Sequence, residues 1–199
     1  MSLVEIFDEL QWKQKQHDKR YHEDIWILSV QNRAKHMILH LNKYSGKFFE
    51  SLRENNLEKL EVHVIDAMII NFSYANIFQV PISKNYEKNI NIRNLNELID
   101  SFKTTNNKHI LDMIIDFAIS VGKMSKTIES LDHVEQHNYR ENLNQYVFDI
   151  QDTLFSICAY LTLSDIEKKI EKRLYSVESK NMSFKRLGNY SGSIRIKMV

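Results

Sequence analysis

The sequence predicts an all-α protein, built from two similar antiparallel helical units that pack together as a helix bundle. The 199 residues include only four glycines and one proline, too few for the tight turns that a sheet requires. Apolar residues also recur at helical spacing over long stretches. With 43% hydrophobic residues, the chain can bury a core as one domain or two small ones.

Composition narrows the classes of function and partner. The 27 basic residues are balanced by 26 acidic ones, so nothing in the net charge requires nucleic acid or an anionic membrane as partner. Cys158 is the single cysteine and cannot form an internal disulfide. No apolar stretch reaches the roughly 18 residues of a membrane span, and the N-terminal segment carries acids early, unlike a signal peptide. We therefore expect a soluble, cytoplasmic protein without a membrane partner.

The first helical unit is predicted to occupy residues 1–82. Ser2 is a candidate N-cap for the first helix. A second, long helix is expected from His22 or Asp24 to Leu52. A third is expected from about Leu57 to Val80, because Pro81 lacks the amide hydrogen that would continue it.

The second unit is predicted over residues 96–182, after a polar, Asn-rich linker at 83–95. It contains a short helix near Leu95–Phe102, then helices at about Lys108–Ser130 and Asn138–Leu163. Ser164, with Glu167 three residues later, predicts a capping box for a last helix that runs to about Lys180.

A basic tail at 183–199 follows the second unit. From position 180 onward there are five basic residues and no acid, and SIRIKMV alternates like a short strand. Such a tail could contact nucleic acid or add a strand to a partner, and a solvated terminus is the alternative.

Two pairs of similar segments indicate an internal repeat. YSGKFFESL at Tyr44–Leu52 is paired with SVGKMSKTIESL at Ser120–Leu131. DAMIINFSYA, which starts at Asp66, is paired with DTLFSICAYL, which starts at Asp152. The two pairs keep their order in each half, which favours duplication, although amphipathic helices can also match by chance.

These segments resemble the all-α nucleotide pyrophosphohydrolases of the MazG and dimeric dUTPase type. Members of that family carry Glu-x-x-Glu on one helix and Glu-x-x-Asp on a later one. DIQDTLFSICAYLTLSDIEKKIEKRL is similar to the second motif and final helix, with Asp149 in place of the Glu and Asp152 as the Asp. HVID in the first half keeps Asp66 and has His63 in place of the Glu. The resemblance covers most of residues 3–180, including the leading helix.

The resemblance implies a dimeric or tetrameric helical assembly, here a pseudo-dimer within one chain. It also implies a Mg²⁺ site, since acids three residues apart share a helix face and hard oxygen ligands suit that ion. At the first motif, however, this chain has Lys47 in one half and Lys123 in the other. A lysine repels Mg²⁺ but suits a phosphate.

Two arrangements of the site remain open. In one, Asp112 and Asp116 join Asp149 and Asp152 as Mg²⁺ ligands, with Asp116, Asp149 and Asp152 as catalytic residues; the plainer alternative is that Asp112 and Asp116 face solvent. In the preferred one, lysines and aspartates form ion pairs across the helices and no metal binds. The pairs are Lys47 with Asp66, and Lys123 with Asp152.

The predicted function is therefore a MazG-like fold with a degenerate metal site, which acts by binding a nucleotide or a protein partner, a second copy included. Lys47, Lys123 and Asp66 are the predicted nucleotide- or phosphate-binding residues. The alternatives are an active Mg²⁺-dependent pyrophosphatase, which hydrolyses (d)NTP to (d)NMP and pyrophosphate, and a purely structural helical adaptor.

Histidines and aromatic residues offer further candidates. His36 and His40 lie four residues apart, as do His133 and His137, a spacing that suits a transition metal. No Glu lies three residues before any histidine, so we interpret them as ordinary polar-face residues. Trp12, Tyr21 and Trp26 could stack on a base, and core packing is the plainer interpretation; for Cys158 we expect a buried structural thiol.

Overall fold

A computed structural model describes residues 2–89, 91–105, 108–132 and 139–186. Within these ranges the chain forms eight α-helices and two short 3₁₀ helices, and no strand is present. The all-α prediction is confirmed. The α-helices are α1 (Leu3–Tyr21), α2 (Glu23–Trp26), α3 (Val30–Arg53), α4 (Leu57–Phe78), α5 (Leu95–Thr105), α6 (Ile110–Glu129), α7 (Tyr139–Tyr160) and α8 (Ile166–Arg186). No helix in the described part of the chain is long and apolar enough to cross a membrane.

Helices α3, α4, α6 and α7 form a four-helix bundle. Helix α3 packs on α4 and α6, and α7 packs on the same two helices from the opposite side. The rings of Phe48 on α3 and Phe117 on α6 lie 4.8 Å apart, and both are fully buried. Helices α1 and α8 cover α4, and α5 covers α7. The described halves therefore share one continuous apolar core.

The segment expected to be a linker, 83–95, is partly built into this core. Its first residues belong to a 3₁₀ helix, Ile82–Tyr86, that packs on α1. The ring of Tyr86 stacks on Phe7 at 4.8 Å and also contacts Phe155 of α7. The sequence interpretation missed this role because one buried aromatic residue in a polar stretch produces no periodic signal.

Gln11 of α1 holds the junction between α4 and this 3₁₀ helix. Its Nε2 donates to the carbonyl of Val80 at 3.0 Å, and its Oε1 accepts from the amide of Ile82 at 2.8 Å. Helix α4 ends at Phe78, two residues earlier than expected, and Gln79 adopts a left-handed conformation with φ 56°. A buried side chain therefore satisfies backbone groups that the end of α4 leaves without helical partners.

Two helix boundaries differ from the sequence prediction. The long second helix is interrupted, because α2 ends at Trp26 and the Ser29 side chain starts α3 by accepting from the amide of Asn32. The helical spacing of apolar residues continues across this break, so the sequence does not indicate where α2 ends. Helix α8 begins at Ile166, so Ser164 is not its N-cap, and it continues to Arg186. By contrast, the predicted cap at Ser2 is confirmed as a full capping box with Glu5.

The expected basic tail lies mostly beyond the described residues. Its first four positions, 183–186, belong to α8. The SIRIKMV stretch falls in 187–199, outside the described ranges.

A buried pair of side-chain amides joins the α3–α4 hairpin to the α6–α7 hairpin and provides a test of the shared core. Asn71 Nδ2 on α4 donates to Gln151 Oε1 and to the carbonyl of Val147 on α7, each at 3.1 Å, and both side chains are fully buried. We expect Asn71→Leu to lower the free energy of unfolding in urea by about 2 kcal/mol, because it leaves the Gln151 amide buried without its partner. Asn71→Leu combined with Gln151→Met should recover at least half of that loss. Additive losses would contradict the coupling.

Candidate functional site

A cavity of about 180 Å³ lies between α1, α3, α4 and α8. We call it the histidine cavity, since four histidines line it. The polar and charged lining residues are Gln14, His17, Asp18, His22, His36, His40, Lys43, Tyr44, Asp66, Ser73 and Arg173.

The histidines come from two places in the chain. His17 and His22 are at the C-terminal end of α1, with ring centroids 5.6 Å apart. His36 and His40 share a face of α3, with centroids 4.6 Å apart. One ligand atom from each of His17, Asp18 and His22 lies within 4.8 Å of the others. This group was missed in the sequence, where only spacings of four within a helix were considered.

Burial shifts the pKa values of three side chains in the histidine cavity, those of His17, Asp18 and His40. It lowers the pKa of His17 to about 4. The nearby His22 lowers this pKa further, and the neighbouring Leu174 backbone partly opposes the shift. Burial likewise lowers the pKa of His40 to about 4 and raises that of Asp18 to about 6. At neutral pH both imidazoles are therefore uncharged.

At the other end of the cavity, an ion pair joins α4 to α8. Arg173 donates from Nε and from its terminal nitrogen to the two oxygens of Asp66, at 2.6 and 2.9 Å. The carboxylate is mostly buried, with 13% of the side chain exposed. Two parallel hydrogen bonds from a planar guanidinium match a carboxylate better than the single charge of a lysine.

The expected Lys47–Asp66 ion pair is not formed. Instead, Lys47 lies over the ring of Tyr44 with its ammonium 5.5 Å from the centroid, and it has no ion pair within the described ranges. His63 contacts Ser51 through Nδ1 at 3.2 Å. Burial and the neighbouring Asp66 raise the pKa of the Tyr44 hydroxyl. Tyr44 and Asp66 of the first half are thus close together, but Arg173 neutralises the Asp66 carboxylate.

The second half carries a wider polar groove of about 380 Å³ between α6 and α7. We call it the aspartate groove. Its polar lining residues are Lys108, Asp116, Ser120, Lys123, Asp149, Asp152, Thr153 and Ser156. The predicted site residues of this half therefore line one surface, except for Asp112, which is exposed and is not part of the lining.

Asp152 is the best-supported carboxylate of the aspartate groove. It accepts hydrogen bonds from the Tyr86 hydroxyl at 2.7 Å and from Asn85 Nδ2 at 3.0 Å. Burial raises its pKa, whereas these two hydrogen bonds lower it. The preferred Lys123–Asp152 ion pair is absent, and Lys123 has no ion-pair partner among the residues described. Both donors come from the segment that we expected to be a linker.

The other two carboxylates of the aspartate groove have separate partners. Asp116 pairs with Lys108 at 2.6 Å, and Asp149 accepts from Gln145 at 2.7 Å. Over the described ranges, the one group of three potential metal ligands within 4.8 Å of each other is that of His17, Asp18 and His22. The three aspartates thus do not converge on one point, and a lysine stands beside them. The residues present do not fit a Mg²⁺ site held by this protein alone.

The remaining candidates have simpler settings. Cys158 is fully buried as expected, and burial raises the pKa of its thiol. Trp12 is 59% exposed, whereas Trp26 lies under the guanidinium of Arg33. His133 and His137 fall outside the described residues.

No protein-family model, curated protein or solved structure matches the chain.

The Arg173–Asp66 pair should contribute to stability as well as closing the site. We expect Arg173→Ala to lower the free energy of unfolding by about 2 kcal/mol, because it leaves a mostly buried carboxylate without its partner. Lys126→Ala is the control, since Lys126 pairs with Glu129 on an exposed face of α6 and such pairs contribute less than about 1 kcal/mol. Equal losses in urea denaturation would show that the buried pair has no special role.

Proposed function

We propose that this chain binds a nucleotide in the aspartate groove, on a MazG-like helical scaffold whose metal site is degenerate. The observation that carries the proposal is Lys123, a cation without an ion-pair partner among the described residues, in a groove that also contains hydroxyls and carboxylates. Its volume of about 380 Å³ falls within the range of small-molecule sites.

The groups of the groove suit the parts of a nucleotide. A lysine ammonium binds a phosphate as a point charge, and the hydroxyl of Ser120 can donate to its oxygens. The hydroxyls of Thr153 and Ser156 donate to the backbone carbonyls of Asp149 and Asp152, so they can accept hydrogen bonds from a ligand. Ionised carboxylates accept hydrogen bonds from ribose hydroxyls or from the N–H groups of a base. Asp152 is already oriented for this by Tyr86 and Asn85.

Carboxylates that can accept hydrogen bonds from a ribose or a base favour the second half over the first. Asp66 is neutralised by Arg173, whereas Asp149 and Asp152 have only uncharged hydrogen-bond partners among the described residues. The groove also favours a short phosphate chain, because a single lysine without an ion-pair partner balances one phosphate better than three. We therefore expect a nucleoside monophosphate to bind at least as tightly as the triphosphate when no divalent cation is added.

The likeness of the two hairpins supports the MazG-like part of the proposal. Lys47 and Asp66 are on α3 and α4, and Lys123 and Asp152 are at similar positions on α6 and α7. In each half the lysine replaces an acid of the resembling family, which changes the local charge by two and disfavours a divalent cation.

Binding can be tested by calorimetric titration of the native chain with nucleoside mono- and triphosphates. We expect Lys123→Ala to weaken binding about tenfold, because a charge-assisted hydrogen bond to phosphate is worth about 1.5–3 kcal/mol. The control is Lys126→Ala, on the same helix but outside the groove. Equal affinities for the two variants would contradict the proposed site. Absence of any nucleotide binding would favour the structural adaptor.

Hydrolysis is the second test, because an active Mg²⁺-dependent pyrophosphatase is the competing function. We expect no pyrophosphate release from (d)NTPs and Mg²⁺ above the level of an Asp152→Asn variant, since the aspartates do not converge. Mg²⁺-dependent release of (d)NMP and pyrophosphate that Asp152→Asn abolishes would establish the enzyme and overturn the degenerate site.

A further inference from the structure

We propose that His17, Asp18 and His22 bind a first-row transition-metal ion, best matched by Zn²⁺, at the α1 end of the histidine cavity. This site is separate from the aspartate groove and does not depend on nucleotide binding. His36 and His40 line the same cavity from α3 but lie outside the group of three ligand atoms, so a water would complete the coordination.

The ligand atoms are already close to a metal-binding arrangement. Atoms from His17, Asp18 and His22 lie within 4.8 Å of each other. In a tetrahedral Zn²⁺ site with bonds of about 2.0–2.1 Å, neighbouring ligand atoms are roughly 3.4 Å apart. Metal binding therefore requires the three side chains to rotate toward one another. The four histidine rings line one cavity, with centroids 5.6 Å apart for His17 and His22 and 4.6 Å apart for His36 and His40.

The unpartnered ring nitrogens of His17 are a second observation, independent of the ligand distances, that indicates a bound ligand. Only 6% of the residue is exposed, yet neither ring nitrogen has a hydrogen-bond partner in the part of the chain described. The nearest acid is Glu178 of α8, with Oε1 4.0 Å from Nε2. Buried polar atoms without partners cost free energy and are rare, so each requires an explanation. A metal ion bound at one nitrogen provides one.

Asp18 has the support that a metal-binding carboxylate requires. Gln14 Nε2 donates to its Oδ1 at 2.8 Å and also to Ser73 Oγ at 3.0 Å, which fixes the carboxylate between α1 and α4. Residues of this kind behind a ligand orient it and raise metal affinity. A buried carboxylate without an ion pair also gains from a nearby cation, and the C-terminal end of α1 adds negative potential at the same place.

The chemistry of the group selects the class of ion. Imidazole nitrogens with one carboxylate suit Zn²⁺ and similar ions, while Mg²⁺ and Ca²⁺ prefer oxygen alone. Such an ion would fix the junction between α1 and α2, a helix that has no buried residue of its own.

The first test is metal titration of the chelator-treated full chain with Zn²⁺, and with Co²⁺ as a spectroscopic probe. We expect one equivalent to bind, with the intense visible absorption of tetrahedral Co²⁺, and Zn²⁺ to raise the unfolding temperature by mass action. His22→Gln should weaken Zn²⁺ binding at least tenfold. His22 is half-buried and makes no capping hydrogen bond through its side chain, so the substitution should preserve the fold.

The control is a double variant, His133→Gln with His137→Gln, which removes two histidines that are not among the described residues lining the histidine cavity. This variant should bind Zn²⁺ like the native chain. If it loses binding while His22→Gln retains native affinity, the ion is held elsewhere and the proposal is wrong. Failure of the native chain to bind either metal would also overturn it.

A crystallographic test needs no variant. Crystals of the native chain grown with Zn²⁺ should show an anomalous peak at the zinc edge within bonding distance of His17, Asp18 and His22. A peak only at other residues, or none, would exclude the site.

Discussion

The α3–α4 hairpin and the α6–α7 hairpin bury apolar faces against each other, and this contact forms the centre of the core. Phe48 and Phe117 meet at this interface, and both are fully buried. A helix stabilises a domain mainly through its buried face, so the packing of one hairpin on the other contributes to the stability of both. The Asn71–Gln151 hydrogen bond lies within the same interface and fixes how one hairpin meets the other.

The apolar faces of the four-helix bundle point inward. The polar side chains of the two sites lie where helices outside the bundle, or the 3₁₀ helix, pack against it. Helices α1 and α8 close one opening over α4, and they bring the histidines and Arg173 to it. The 3₁₀ helix Ile82–Tyr86 borders the other opening and brings the Tyr86 hydroxyl to Asp152. The two openings therefore differ in chemistry. One is small and closed by an ion pair, and the other is wider and lined by carboxylates and lysines.

The parts of the structure that could be predicted from the sequence are those decided within a few residues. Helical periodicity is a local property, and so is the capping box of Ser2 and Glu5. Arg173 lies 107 residues from Asp66, and no local pattern reports their pairing. The group of His17, Asp18 and His22 also escaped prediction, because its ligand spacing follows from the way α1 ends at His22 and not from a repeat along a helix. Thr162 and Asp165 adopt left-handed conformations before α8, which residue type alone rarely signals.

The difference between the two openings follows from the elements outside the four-helix bundle. The bundle itself offers similar positions in each half, with a lysine on one helix and an aspartate on the next. Helix α8 packs on α4, where Arg173 reaches Asp66 and converts a carboxylate into half of an ion pair. On α7, the corresponding Asp152 meets neutral donors and keeps its charge available to a ligand. The Arg173 guanidinium therefore neutralises the carboxylate in the histidine cavity. In the aspartate groove, Tyr86 and Asn85 donate hydrogen bonds to Asp152 but bring no positive charge. The surroundings of Asp66 and Asp152 thus differ because of residues outside α3, α4, α6 and α7.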